Sequence, residues 1–276
     1  MEIWHDGDLR DKRAAQIWES RGLALTPVKR SDGSEPKRWQ FRIRESDPLW
    51  PELRAILKGA HTYLVTEFTQ DEILSAQWCI AREEYSIGSF VPHEKWWTPI
   101  YFADRCRTCG TGWRQIAPFR IAKEPKLEDK SFAGFGSAFE LFATPEVLKI
   151  FQQHRIDGFE GWPLILDKED RPANSLKQII VTEMAEPAIA EELVERERYY
   201  EADCPTCRRT WHLYYTRGML PLRKSALNAK ADFQLTHEWF GNGRAARHEI
   251  LVSQRVVELA FENRWQGIHF VPIQVV

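Results

Sequence analysis

Two short stretches of the chain carry residues able to do definite chemistry. Cys106-Arg107-Thr108-Cys109 and Cys204-Pro205-Thr206-Cys207 each place two thiols three positions apart, and Trp113 and Trp211 follow at the same interval in both. A C-x2-C turn lets two thiolates approach one ion from the same side. A second such turn completes a closed tetrahedral set, so Cys106, Cys109, Cys204 and Cys207 are expected to ligate one structural Zn2+. A closed set has no open position for water, so the expected role of this ion is to hold structure and not to catalyse. Two other readings compete with it: a thioredoxin-like redox pair, disfavoured because neither pair heads a convincing βαβ unit, and reduced bystander thiols. A disulfide framework is disfavoured because the expected compartment, the cytoplasm, keeps thiols reduced.

The two pairs are nearly a hundred residues apart, further than in a compact zinc ribbon, so the fold must bring them together. An internal repeat would do so. Three patterns occur twice in the same order: Tyr63-Leu64-Val65-Thr66-Glu67-Phe68 with Ile179-Ile180-Val181-Thr182-Glu183-Met184, the two cysteine knuckles, and Glu140–Leu166 with Glu249–Val275. A capping pattern at Thr69 and Glu72 predicts a helix over Ile73 to Ala81, with Cys79 buried in it, and Pro187 predicts one running to Tyr200. Thr144 and Ser253 are N-cap candidates for amphipathic helices, and Gly158 and Gly267 supply a helix stop or turn. The strands that follow contain Pro163 and Pro272, which place them at an edge or bend.

The expected architecture is therefore α+β. Two related strand-helix-knuckle-helix-strand repeats, 60–174 and 175–276, share the four-cysteine zinc site, and an N-terminal extension, 1–59, packs on the body. That extension contains a polar turn around Arg30 to Pro36, a strand from Trp39 to Ile43 and a short helix near Trp50 to Leu57.

Composition narrows the function. The chain has 276 residues, 43% of them hydrophobic, enough for a sizeable core. Its 38 Lys and Arg against 40 Asp and Glu remove the usual footprint of a nucleic-acid binder. No apolar stretch approaches the roughly 20 residues a membrane helix needs, and the start does not read as a signal peptide, so a cytoplasmic protein is expected. Walker-type glycine loops and G-x-G-x-x-G, H-E-x-x-H and G-x-S-x-G motifs are lacking, and Phe240-Gly241-Asn242-Gly243 reads as a turn, with a phosphate cradle as the weak alternative because no lysine–serine or helix start follows it. The pairs His93-Glu94, His237-Glu238 and His248-Glu249 are adjacent residues that point to different sides, so no catalytic residues are assigned and no enzymatic activity is expected.

Two surface features could meet a partner. From Glu183 to Asp203 acidic residues, Glu191, Glu192 and Glu195 among them, far outnumber Arg196 and Arg198. The simplest account is a solvated helix face; the functional one is a patch that meets a basic protein. Trp96-Trp97 reads as core packing near the first knuckle, with a binding hot spot as the alternative.

Two C-x2-C knuckles, one of them continuing into Gly110, within copies that end in helix, glycine, strand and proline, resemble the double-CxxCG motif proteins of myxobacteria and other bacteria. The resemblance covers about 60–276 and implies an immunity protein that binds and neutralises a cognate bacterial protein toxin. The chain departs from the motif at Arg208, where the family has glycine, and that change predicts a looser second knuckle. The competing functions are a zinc-containing nucleic-acid-associated or regulatory module and a C-x2-C thiol-disulfide oxidoreductase.

Overall fold

A computed structural model describes residues 1–29, 34–57, 63–92, 99–136, 140–194, 201–241 and 246–276. It is a mixed α+β, strand-rich structure with five α-helices among the described residues. The chain forms two compact units, Met1–Thr69 with Tyr215–Met219, and Gln70–Tyr214 with Leu220–Val276. Arg30 to Gly33, Trp96-Trp97, His93-Glu94 and Glu195 lie outside the described residues.

The first unit runs β1 (Glu2–Leu9), α1 (Lys12–Ser20), β2 (Leu25–Pro27), β3 (Trp39–Arg44), α2 (Trp50–Ile56) and β4 (Tyr63–Glu67). Its sheet has the order β2-β3-β1-β4, every pair antiparallel, which is a split β-α-β arrangement. Alternation explains the burial: Leu9, Phe41 and Ile43 point to one face and meet Trp18, Trp50 and Leu53 from the helices. Asp11 caps α1 by accepting from the Ala14 N–H at 2.7 Å. The strand at Trp39 and the helix at Trp50 fall where the sequence places them. The unit also includes β4, whose Tyr63–Glu67 pairs with β1, and Tyr215–Met219.

The second unit begins with α3 (Gln70–Ser75) and β5 (Trp78–Glu83). The helix expected over 73–81 is therefore cut short, and Cys79 lies in a strand, where burial pushes its thiol up to about 12. The β-rich run Trp78-Cys79-Ile80 is buried on both faces, and this long-range sheet pairing overrides the local capping pattern. The chain continues through β6 (Phe102–Ala103), β7 (Arg114–Gln115), β8 (Arg120–Ile121), β9 (Phe132–Ala133), β10 (Phe142–Ala143), α4 (Pro145–Gln153), β11 (Phe159–Leu166) and β12 (Arg171–Val181). Then follow β13 (Glu201–Asp203), β14 (Thr210–His212), β15 (Leu220–Leu222), β16 (Phe233–Leu235), β17 (Trp239–Phe240), β18 (Ile250–Ser253), α5 (Gln254–Glu262) and β19 (Ile268–Val275). Between Pro187 and Val194 the described chain holds only a 3-10 turn at Glu191–Leu193, not the expected helix; 195–200 lie outside the described residues.

Two five-stranded sheets dominate, ordered β8-β11-β12-β10-β9 and β15-β19-β5-β18-β16. In each, the first pair is parallel and the rest antiparallel. The central strand of the later sheet, β5, comes from the start of the unit, whereas β12, central in the other sheet, directly follows its neighbour β11 in the chain. Pairing of Ala143 with Lys177 and of Val252 with Cys79 fixes the same register in both sheets.

The helices α4 and α5 bury Val147 and Phe151, and Val256, Val257, Leu259 and Ala260, in one core with Phe132, Phe233 and Cys79. Each fully buried side chain of this size is worth roughly 1.5–3 kcal/mol of transfer free energy, so this shared core outweighs any single cap or ion pair. Pro163 and Pro272 are not in edge strands, but at Pro163 the pairing with β12 shifts register before Ile165, the irregularity expected of a bend. Each directly precedes the stretch where a parallel partner joins, Ile165 beside Arg120 and Ile273 beside Leu220, so the missing N–H costs no ladder bond on that side.

The left-handed residues that end α4 and α5 are Arg155 and Arg264, φ 53° and 55°, not the glycines. Gly158 and Gly267, both at φ 87°, serve another purpose. A Cβ on Gly158 would run into the Phe233 carbonyl oxygen, and one on Gly267 into that of Phe132, so the glycines let the two sheets approach. Thr144 caps α4 through the Val147 N–H at 3.4 Å, whereas Ser253, in the N-cap position of α5, gives its hydroxyl to Asp232 at 2.6 Å.

Candidate metal centre

The two C-x2-C segments form matching tight loops. The Cys106 N–H donates to the Thr111 carbonyl at 2.9 Å and the Gly110 N–H to the Cys106 carbonyl at 2.9 Å. In the second loop the Cys204 N–H donates to the Arg209 carbonyl at 3.0 Å and the Arg208 N–H to the Cys204 carbonyl at 2.8 Å. Closing such a loop requires a left-handed residue after the second cysteine. Gly110 takes φ 79° and Arg208 φ 58°, so the arginine adopts the conformation it was expected to resist. The second loop keeps the hydrogen bonds of the first, at about 1–2 kcal/mol of backbone strain.

The fold brings the four sulfurs within 4.8 Å of one another. Across the loops, Cys106 and Cys204 stand 3.9 Å apart and Cys109 and Cys207 3.7 Å apart. Four thiolates at about 2.3 Å from one tetrahedral ion are about 3.8 Å from each other, so the donor set fits a metal of that size and geometry. All four cysteines are free thiols; Cys106 and Cys204 are buried, Cys109 and Cys207 half-buried.

The surrounding backbone favours the charged form of one sulfur in each loop. The N–H groups of Cys109 and Thr108 aim at Cys106 and lower its thiol to about 6, and those of Cys207 and Thr206 lower Cys204. Burial raises Cys109 to about 11, a proton that a bound cation would displace. The Thr108 and Thr206 hydroxyls meet at 2.8 Å, and the Arg209 guanidinium covers Gly112 where a Cβ would collide with it. The sequence signal for both contacts is the shared C-x-T-C spacing and the glycine two residues past Gly110.

The acidic candidates are placed apart from the thiols' own ligand set. Glu191 and Glu192 lie exposed on the 3-10 turn, and Glu192 pairs with Arg223 at 2.7 Å. They border a groove of about 820 Å³ to which Arg208, Arg209 and Arg223 also contribute. The groove is thus mixed in charge, a property the linear run of glutamates conceals.

Compared with family models, curated proteins and solved structures, the chain matches none. Among the described residues no helix is long and apolar enough to cross a membrane.

Proposed function

We propose that the four thiolates hold one structural zinc ion and that the protein is a non-enzymatic binding protein, an immunity protein that neutralises a bacterial protein toxin in the cytoplasm. The observation that carries the metal assignment is the near-tetrahedral spacing of the sulfurs. A closed four-thiolate set leaves an ion no position for substrate, which supports a scaffolding role. The toxin assignment is supported by the resemblance of the knuckles to the double-CxxCG proteins.

The same proposal holds that the second unit consists of two related copies that have exchanged their central strands and share the ion. Identical strand order and register in the two sheets support it. Exchange accounts for the need for a metal, because neither half then contains a complete sheet of its own.

Elemental analysis of purified protein tests the first part, with close to one zinc per chain expected; iron in its place, or no metal, overturns it. Co-expression with the product of the adjacent gene tests the second. Co-purification, and protection of cells from that product, are expected. Reversing Glu191, Glu192 and Glu195 to lysine should weaken the complex, and undiminished binding would remove the acidic surface from the proposal.

A further inference from the structure

Arg209 belongs to the second knuckle, yet its guanidinium lies against the first, where a Cβ on Gly112 would collide with it. Gly112, at φ 86°, is the residue that leaves this space open. The Arg209 side chain is half-buried and makes no ion pair or side-chain hydrogen bond among the described residues. Shape, and not a carboxylate, holds its guanidinium in place, so the donors stay available.

The same side chain lines a cavity of about 570 Å³ whose walls are chiefly apolar. Trp113, Ile180, Leu235, Trp239 and Ile250 contribute to it, and each is only half-buried, so the fold leaves apolar surface open to this space. The two indoles stand edge to face at 6.4 Å. Arg209 and Trp239 also border the groove of about 820 Å³, and the guanidinium is thus reachable from either side.

The other charged groups of the cavity are engaged elsewhere. Arg114 pairs with Asp104 at 3.0 Å, and the exposed, solvated Glu183 accepts from Asn228 at 3.4 Å. Burial holds the Glu140 carboxyl toward its neutral form and the His248 imidazole down to about 4, uncharged near pH 7. Arg247 is buried in the field of Glu249 and Tyr214. Among the described residues Arg209 is therefore the cation of this cavity that no carboxylate answers.

We propose that the cavity binds an aromatic carboxylate, whose acid group pairs with Arg209 and whose ring packs against Trp113 and Trp239. The carboxylate belongs to a free organic acid or to the C-terminal aromatic residue of a partner chain, which share this chemistry. Two parallel N–H donors of a guanidinium take both carboxylate oxygens at once, and the indoles favour an offset or edge-on ring.

Calorimetric titration of the full chain with 3-phenylpropionate, with its neutral amide 3-phenylpropanamide and with acetyl-Gly-Gly-Phe tests the proposal. The acid should bind at least about tenfold more tightly than the amide, which has the same ring and nearly the same shape without the charge. Equal or tighter binding of the tripeptide identifies a partner's C-terminus as the source, and binding of 3-phenylpropionate alone identifies a small acid. Arg209→Gln should weaken binding about tenfold or more, with metal content measured on the same sample. Ile180→Trp, outside the knuckles, should fill the cavity and abolish binding, which decides the matter if Arg209→Gln releases metal. Failure of both acids to bind, equal binding of the amide, unchanged affinity in metal-loaded Arg209→Gln, or unchanged affinity in Ile180→Trp would overturn it.

Discussion

The Sγ atoms of Cys106 and Cys204, 98 residues apart in the chain, stand 3.9 Å from each other, and each is the sulfur that its own loop's N–H groups hold toward the thiolate form. The centre is thus built from two equivalent halves. Cys106→Ser and Cys204→Ser are expected to act alike, each releasing the metal and costing roughly 3 kcal/mol or more, since metal binding here is also folding energy. Metal content and denaturant midpoints of the two variants check this; a large effect from only one would show that the sulfurs do not share an ion.

Gly158→Val and Gly267→Val should each destabilise the second unit by about 3 kcal/mol or more. Both positions combine φ 87° with a carbonyl oxygen where the Cβ would sit, so neither torsion nor space can relax locally. Urea denaturation measures the loss. A change below about 1 kcal/mol at either site would mean that the sheets can move apart cheaply.

Arg208→Gly removes the cost of a side chain at φ 58° and should stabilise the metal-loaded protein by up to about 1 kcal/mol, while leaving metal content unchanged. The thermal midpoint should rise by a few degrees. A lower midpoint would assign the Arg208 side chain a stabilising contact.

In the first unit, Glu45 accepts two hydrogen bonds from Arg217, both at 2.7 Å, and one contact from His5 at 3.1 Å, and these hold its carboxyl down to about 2. Because the folded value lies below the ordinary 4.5, the stabilisation is complete above about pH 4.5 and is lost as pH falls toward 2. With Glu45 about a third exposed, screening leaves roughly 2 kcal/mol of this effect. Chemical denaturation between pH 6 and 2.5 should show the decline in the wild type and a flatter profile in Glu45→Gln.

The sequence by itself determined what short range can encode. The C-x-T-C spacing dictates a two-thiol loop, the cap at Thr144 starts a helix, and alternation from Trp39 to Ile43 makes a strand, because each depends on residues a few positions apart. The third and longest match, Glu140–Leu166 with Glu249–Val275, falls in both copies on a strand, a helix and a strand.

Tertiary structure decided the rest, since sheet pairing ranks distant partners by total burial and not by local pattern. It turned Trp78-Cys79-Ile80 from a predicted helix end into a central strand, and it assigned Tyr63–Glu67 to the first unit. It also made β5, from the start of the unit, the central strand of the sheet built from the last strands. No local signal distinguishes these outcomes, because the same β-rich run satisfies its backbone equally well in either sheet until the side chains across from it are known.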